Sequence, residues 1–369
     1  MTTYLDPRNF RSSSPAEEDH LGHALAAIVA EDWRGTPLQA LARWERVLRD
    51  DRQRRAWGVL FEKLDVLFRC GKATPLDGPM IGVTMCVRNT DWLGDATRPL
   101  GKERSVLART EWLAALWNGT FANTGLWMGK TFDPVSRETF AEKCGGDPAT
   151  VTAYDPATAR LGRNFFREVS GGVLQELGLP VLTRLWNLRD RPTDAAAPGF
   201  DAALRPEHLE EEKLIPYVKT GGYFLSNLAP SVVERLAGKA VYQLNYRWPR
   251  LDPVFPMTRL VDEIVQVADG VWLGQLVMAS RHFSLGTLHV PLVEGKAPAL
   301  ELGEAFAARP PQEYGYQHNG YFLMIDAALA RDAYADDAFP ALRPRPGEAG
   351  HAEVGGGAAA PGRAPAVAT

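Results

Sequence analysis

The chain has 369 residues, 45% of them hydrophobic and 23% charged, with 41 Lys+Arg against 45 Asp+Glu and a formal net charge of -4. That composition is globular, long enough to bury a core without disulfides or a structural metal. The near-neutral balance argues against a nucleic-acid partner, which would call for a basic face.

In chain order, residues 1–20 carry Asp6, Arg8, Arg11, Glu17, Glu18 and Asp19 with no apolar run, so neither a signal peptide nor a transit helix is expected, and the expected compartment is the cytoplasm. Ser14-Pro15-Ala16-Glu17 has the form of a capping box, and Leu21, Leu25, Ile28 and Val29 follow at helical spacing. Thr36-Pro37-Leu38-Gln39 repeats that grammar and opens a longer pattern through Trp44, Leu48, Trp57, Leu60, Leu64 and Phe68 to Gly71, with the charge-rich 49–55 stretch on its wet side or at a break between two helices. From Pro75 the texture changes. Gly and Pro punctuate short β-branched and aromatic runs at 80–88, 126–132, 240–248, 270–279, 288–293 and 314–326, which read as strands. Residues 102–117 read as a helix, and so do 259–267, with Leu260, Ile264 and Val267 on one side. The 189–211 segment reads as a long connection, and the Gly/Ala/Pro-rich tail after about Pro344 as disordered. The resulting division is a helical region over 1–74, a β-rich domain over 75–344 and a tail over 345–369. The apolar stretches fall well short of the ~20 residues that cross a bilayer, so no transmembrane insertion is expected.

Three cysteines, Cys70, Cys86 and Cys144, form no C-x-x-C pair, as in a reducing compartment. Cys144 beside Gly145 and Gly146 has no neighbouring His to activate it as a nucleophile. Phosphate-loop, dinucleotide, nucleophile-elbow and H-E-x-x-H motifs are missing, and Thr220-Gly221-Gly222-Tyr223 reads as an ordinary turn.

The motif Gly125-Leu126-Trp127-Met128-Gly129-Lys130-Thr131-Phe132 places an indole between glycines four apart, which suits a sharply bent strand with an apolar plug. Together with Leu76-Asp77-Gly78-Pro79-Met80-Ile81-Gly82 upstream and Leu260 to Gln275 downstream, including Asp262, Asp269-Gly270 and Leu273-Gly274, it resembles the bacterial GxWxG-type domains of unknown function. That resemblance implies an α+β fold, with N-terminal helices packed on an antiparallel, partly closed calycin-like β-barrel or sheet able to hold one small apolar ligand.

Ala240 to Trp248 alternates, with Tyr242, Leu244 and Tyr246 on one face and Gln243, Asn245 and Arg247 on the other. In a plain sheet the polar face would be wet; in a barrel it would line the lumen and orient a ligand. The candidate ligand-binding residues are therefore Trp127, Lys130, Tyr242, Tyr246, Arg247 and His318. A two-residue turn at Leu285-Gly286 would make His282 and His289 cross-strand partners, and convergence with His318 would give a three-histidine metal site. The leading expectation is a barrel binding a small apolar molecule, a lipid or an aromatic metabolite. The alternatives are an enzyme on the same scaffold, using those histidines for metal binding or acid/base chemistry, and a structural or partner-binding protein. The sequence points to no particular cofactor and leaves the oligomeric state open.

Overall fold

The computed structural model describes residues 2–10, 14–50, 54–87, 125–169, 172–191, 212, 215–253, 257–279, 282–285, 288–291, 301–302, 310, 314–327 and 329. Nine strands form one antiparallel sheet: β1 (Gly78–Val87), β2 (Trp127–Pro134), β3 (Arg160–Phe166), β4 (Arg189–Asp190), β5 (Lys219–Pro230), β6 (Ala240–Asn245), β7 (Leu260–Ala268), β8 (Val271–Ala279) and β12 (Tyr316–Asp326). Their order is β3-β2-β1-β12-β8-β7-β6-β5-β4, and β3 also pairs with β5. That last pairing closes eight strands into a barrel and leaves β4 as a flap on β5. Closure removes the open edges that an antiparallel sheet would otherwise expose. A separate small sheet holds β9 (His282–Leu285), β10 (Leu288–Pro291) and β11 (Glu301–Leu302).

Side chains alternate across each strand, so the barrel has two apolar layers. The lumen is filled from seven strands by residues such as Met80, Phe132, Phe224, Tyr242, Ile264 and Phe322. The outer wall, with Val83, Val261, Val265, Leu273, Val277 and Leu323, is covered by α1 (Pro15–Glu31), α2 (Pro37–Arg49) and α3 (Arg54–Cys70). Leu41, Trp44, Leu64 and Phe68 of those helices belong to the same cluster, so the helical region and the barrel share one core. A capping box between Thr36 and Gln39 starts α2, whereas Ser14 precedes α1 in an extended conformation without capping it. α4 (Arg137–Lys143) and α5 (Pro148–Thr152) fill the β2–β3 connection, and α6 (Val173–Leu185) follows β3. No helix among the described residues is long and apolar enough to cross a membrane.

Three glycines on the lumen side explain much of the barrel's shape. A Cβ on Gly82 would lie 2.5 Å from the Trp127 ring, and one on Gly162 or Gly274 would lie 2.2 Å from the ring of Phe224 or Phe322. Each glycine makes room for an aromatic ring from a neighbouring strand, a pairing that restores the apolar cover a side chain would have given. Gly129, at φ +141° in the bulge between Trp127 and Gly129, lets β2 press against the Met80–Gly82 backbone, where a Cβ would meet Met80 O at 2.0 Å.

Several expectations are corrected. Residues 260–268 form β7, not a helix, and all nine are buried. Leu260, Ile264 and Val267 fit a helical stripe, but Val261 and Val265 fill the opposite face, and a strand covered on both sides loses its alternation. Asp262 and Glu263 consequently point to opposite sides of the wall. Thr220 to Tyr223 lie inside β5 instead of forming a turn; Gly222, at φ +59°, is an irregular point in that strand. The polar face of β6 is neither wet nor luminal: Gln243, Asn245 and Arg247 are buried outside the barrel. The charge-rich 49–55 stretch falls at a break between two helices, one of the two arrangements expected for it, with α2 ending at Arg49 and α3 starting at Arg54. In the β9–β10 hairpin Leu285 faces Leu288, so His282 lies opposite Pro291 and His289 opposite Ser284, two places from the expected register. The expected helix at 102–117, most of the 189–211 connection and the tail lie outside the described residues.

Candidate functional site

One end of the lumen is filled, with Trp272 Nε1 donating to Thr74 Oγ1 at 3.0 Å and Thr74 Oγ1 to Gln266 Oε1 at 2.9 Å. At the other end the packing stops short and leaves a cavity of about 100 Å³, walled by Trp127, Phe166, Met257, Leu260, Leu276 and Phe322 among others. Leu182 of α6 and Trp186 just after it cover the mouth. Trp186 stands edge-on to Phe166 with ring centroids 5.4 Å apart.

Inside this apolar wall lies one polar cluster. Lys130 Nζ donates to Asn164 Oδ1 and to Tyr246 Oη, both at 2.6 Å, and sits 3.1 Å from Asp262 Oδ2. Tyr246 Oη donates in turn to Asp262 Oδ2 at 2.6 Å. Asn164 is fixed from both ends: Trp127 Nε1 donates to its Oδ1 at 3.1 Å, and its Nδ2 donates to Gly222 O at 2.8 Å. The three ammonium protons of Lys130 thus match three acceptors. Its charge is also surrounded by ring faces, with Nζ 5.0 Å from the centroid of Trp127, 5.3 Å from Tyr246, 5.5 Å from Phe224 and 5.6 Å from Phe322. Three of those four rings are the ones seated on Gly82, Gly162 and Gly274.

Burial pulls the Lys130 pKa below its ordinary value, with Asp262 opposing the shift. It drives the Tyr246 phenol well above its ordinary range, and the Asp262 charge adds to that shift. The phenol therefore remains a neutral donor to the carboxylate. Among the described residues that line the cavity, Asp262 and Trp186 each hold a buried polar atom without a hydrogen-bond partner, Oδ1 and Nε1 respectively.

Of the residues singled out from sequence, Trp127, Lys130 and Tyr246 meet at this cavity. Tyr242 faces the same lumen deeper down, where its hydroxyl donates to Thr158 O at 2.9 Å and lies 2.9 Å from Ser226 Oγ. Arg247 does not reach the lumen; its guanidinium lies over Tyr314 and Tyr316 and hydrogen-bonds the Tyr316 hydroxyl. His318 lies on the outer wall against Tyr321, ring centroids 4.2 Å apart, in a groove shared with Asp65, Arg69 and Arg235. The His282 and His289 side chains lie outside the described residues, and no group of three or more His, Cys, Asp or Glu among the described residues is arranged to hold a metal. Cys144 is buried in an apolar cluster with Phe140, Leu161 and Trp248. Sequence reasoning missed Asn164, Trp186, Phe224 and Phe322, and named Asp262 without placing it at the site; the signals that could have found them were the luminal glycines and the period-2 placement of Asp262.

His318 has a measurable effect of its own. Burial and the nearby Arg235 pull its pKa from 6.5 down to about 3, and its Nε2 is sealed from water without a partner. The unfolded chain takes up this proton below pH 6.5 and the folded chain only near pH 3, so the stability due to the neutral ring is complete above 6.5 and is lost as the pH falls between those values. From pH 7.5 to pH 5 this one group should remove about 2 kcal/mol. Urea midpoints of wild type and His318→Gln at the two pH values check this, and the variant should show the smaller difference.

No family model, no curated protein and no solved structure matches this chain.

Proposed function

We propose that this protein binds one small, mostly apolar molecule at the mouth of its barrel. The observation that carries the reading is the aromatic-walled cavity of about 100 Å³ beside the buried Lys130 polar cluster, at one end of the lumen. Ligand sites of this kind combine an apolar wall with a few placed polar groups, the first supplying affinity and the second orientation. The space admits a compact ring or a short chain, and a longer molecule would have to extend past Trp186. The resemblance to GxWxG-type domains supports the same reading, since a calycin-like barrel is a scaffold for one small ligand.

Native mass spectrometry of freshly purified protein should reveal a retained organic compound. Toluene, a probe of suitable size, should raise the thermal midpoint of wild type, because a ligand that binds only the folded state stabilises it by mass action. Leu276→Phe, which fills the cavity from β8, should abolish that response. Equal responses in wild type and variant would place toluene elsewhere and reject the site.

A further inference from the structure

Outside Trp186 lies a second, smaller space of about 50 Å³, lined by Asn187, Arg189, Gly222, Tyr223 and Asp252 among others. Trp186, Tyr246 and Met257 line both this vestibule and the inner cavity, so these three side chains form the partition between the two. They are held with unequal firmness. Tyr246 is buried and its hydroxyl is bound to both Lys130 and Asp262, so moving it would break into a buried charge pair. Met257 is buried as well, seated over Gly222, where a Cβ would meet Met257 Cε at 3.1 Å. Trp186 is half-buried and its indole nitrogen makes no hydrogen bond. Turning this ring out of the partition breaks no side-chain hydrogen bond and hands an unmet donor to water, which offsets part of the lost packing.

The backbone around the vestibule is unusual in the same place. Asn187, directly after the indole, has φ +50°, and its Nδ2 donates at 3.2 Å to Oδ2 of Asp252, which has φ +52°. These are the two non-glycine residues of positive φ among the described residues, and Gly222, at φ +59°, lines the vestibule with them. Asn and Asp tolerate that conformation better than other side chains, and such positions gather at ligand clamps and switches. The pair ties the end of α6 to the helical turn at Pro249–Leu251, and so holds the frame in which the Trp186 ring can turn. Resting on the ligand-binding reading above, we propose that the vestibule is the entry to the cavity and the Trp186 ring its gate. The ligand passes Asn187 and Asp252, displaces the indole, and is enclosed when the ring returns. A gate changes the barrier between free and bound states and leaves those states alone, so it scales association and dissociation by one factor.

Exchange of toluene in the full chain, followed by stopped-flow tryptophan fluorescence with Trp127 as a reporter in the cavity wall, tests this. Trp186→Ala should raise both rate constants by about tenfold. Arg189→Cys places a thiol on an exposed vestibule residue outside the partition. A bulky thiol reagent attached there should slow both rates by about tenfold and leave Kd within about twofold. The unlabelled variant, and wild type carried through the same labelling, should exchange like untreated wild type. If Trp186→Ala does not fold, the labelled Arg189→Cys chain still decides. Unchanged rates after labelling, or a change in dissociation alone, would overturn the gate and leave the cavity standing as a site entered elsewhere. No saturable binding of toluene to wild type would overturn the ligand-binding reading and the gate with it.

Discussion

Lys130→Met should lower the unfolding free energy by about 3 to 5 kcal/mol, the range for stripping one partner from a buried charge pair. Lys130 and Asp262 are both buried, and removing the ammonium leaves the carboxylate with the Tyr246 hydroxyl as its remaining donor. It also frees Asn164 Oδ1 and Tyr246 Oη from a shared donor at the centre of the cluster. Lys130→Met combined with Asp262→Leu should be less destabilised than the sum of the two single variants, because the second change removes the stranded charge that the first creates. Urea denaturation of the four proteins measures both quantities. A loss below about 1 kcal/mol for Lys130→Met would mean that water reaches the pair, since that is the range for solvated ion pairs.

Trp127→Ala comes next in size, at about 3 kcal/mol, the lower end for large-to-small aromatic changes because the indole is half-buried. The ring covers Gly82, stands edge-on to Phe322 with centroids 5.5 Å apart, and holds Asn164 through its Nε1. Its removal opens the cavity wall and loosens one of the acceptors of Lys130 in a single step. Trp127→Phe keeps part of the cover without the N–H, and should recover a good part of the loss. Thermal or urea unfolding checks the order wild type, then Trp127→Phe, then Trp127→Ala. An alanine variant as stable as wild type would remove Trp127 from the packing of the mouth.

The barrel was legible where alternation was clean. Ala240 to Trp248 announces its own two faces, and Tyr242, Leu244 and Tyr246 are indeed luminal. What the pattern could not convey is that the other face would also be buried, because the partners of Arg247, Tyr314 and Tyr316, come from a segment some seventy residues away. β7 was misread for the converse reason: a strand covered on both sides has apolar residues at every spacing, including the helical one. β3 and β5 passed unnoticed because Arg163, Asn164, Thr220 and Ser226 interrupt the apolar pattern with groups whose partners are not local. Arg163 pairs with Glu212, and the Thr220 hydroxyl donates to Asn164 O at 3.0 Å. The site was half legible. Trp127 and Lys130 share a motif, but Asn164 and Asp262 come from β3 and β7 and Tyr246 from the residue just after β6, and only the closed ring of strands brings them to one ammonium group.

That ring is completed from late in the chain. β12, Tyr316–Asp326, stands between β1 and β8 and pairs with both. A nascent chain that has emerged only as far as β8 holds seven of the barrel's strands, with a gap where the eighth belongs and two unsatisfied edges facing each other across it. Pairing of such sequence-distant segments is intrinsically slow, and the waiting edges are the surfaces through which incomplete chains associate. Phe322, one of the rings around Lys130, arrives on this same strand. Lys130 therefore cannot acquire its complete aromatic surround until synthesis has passed residue 322, which ties maturation of the cavity to the last step of closure.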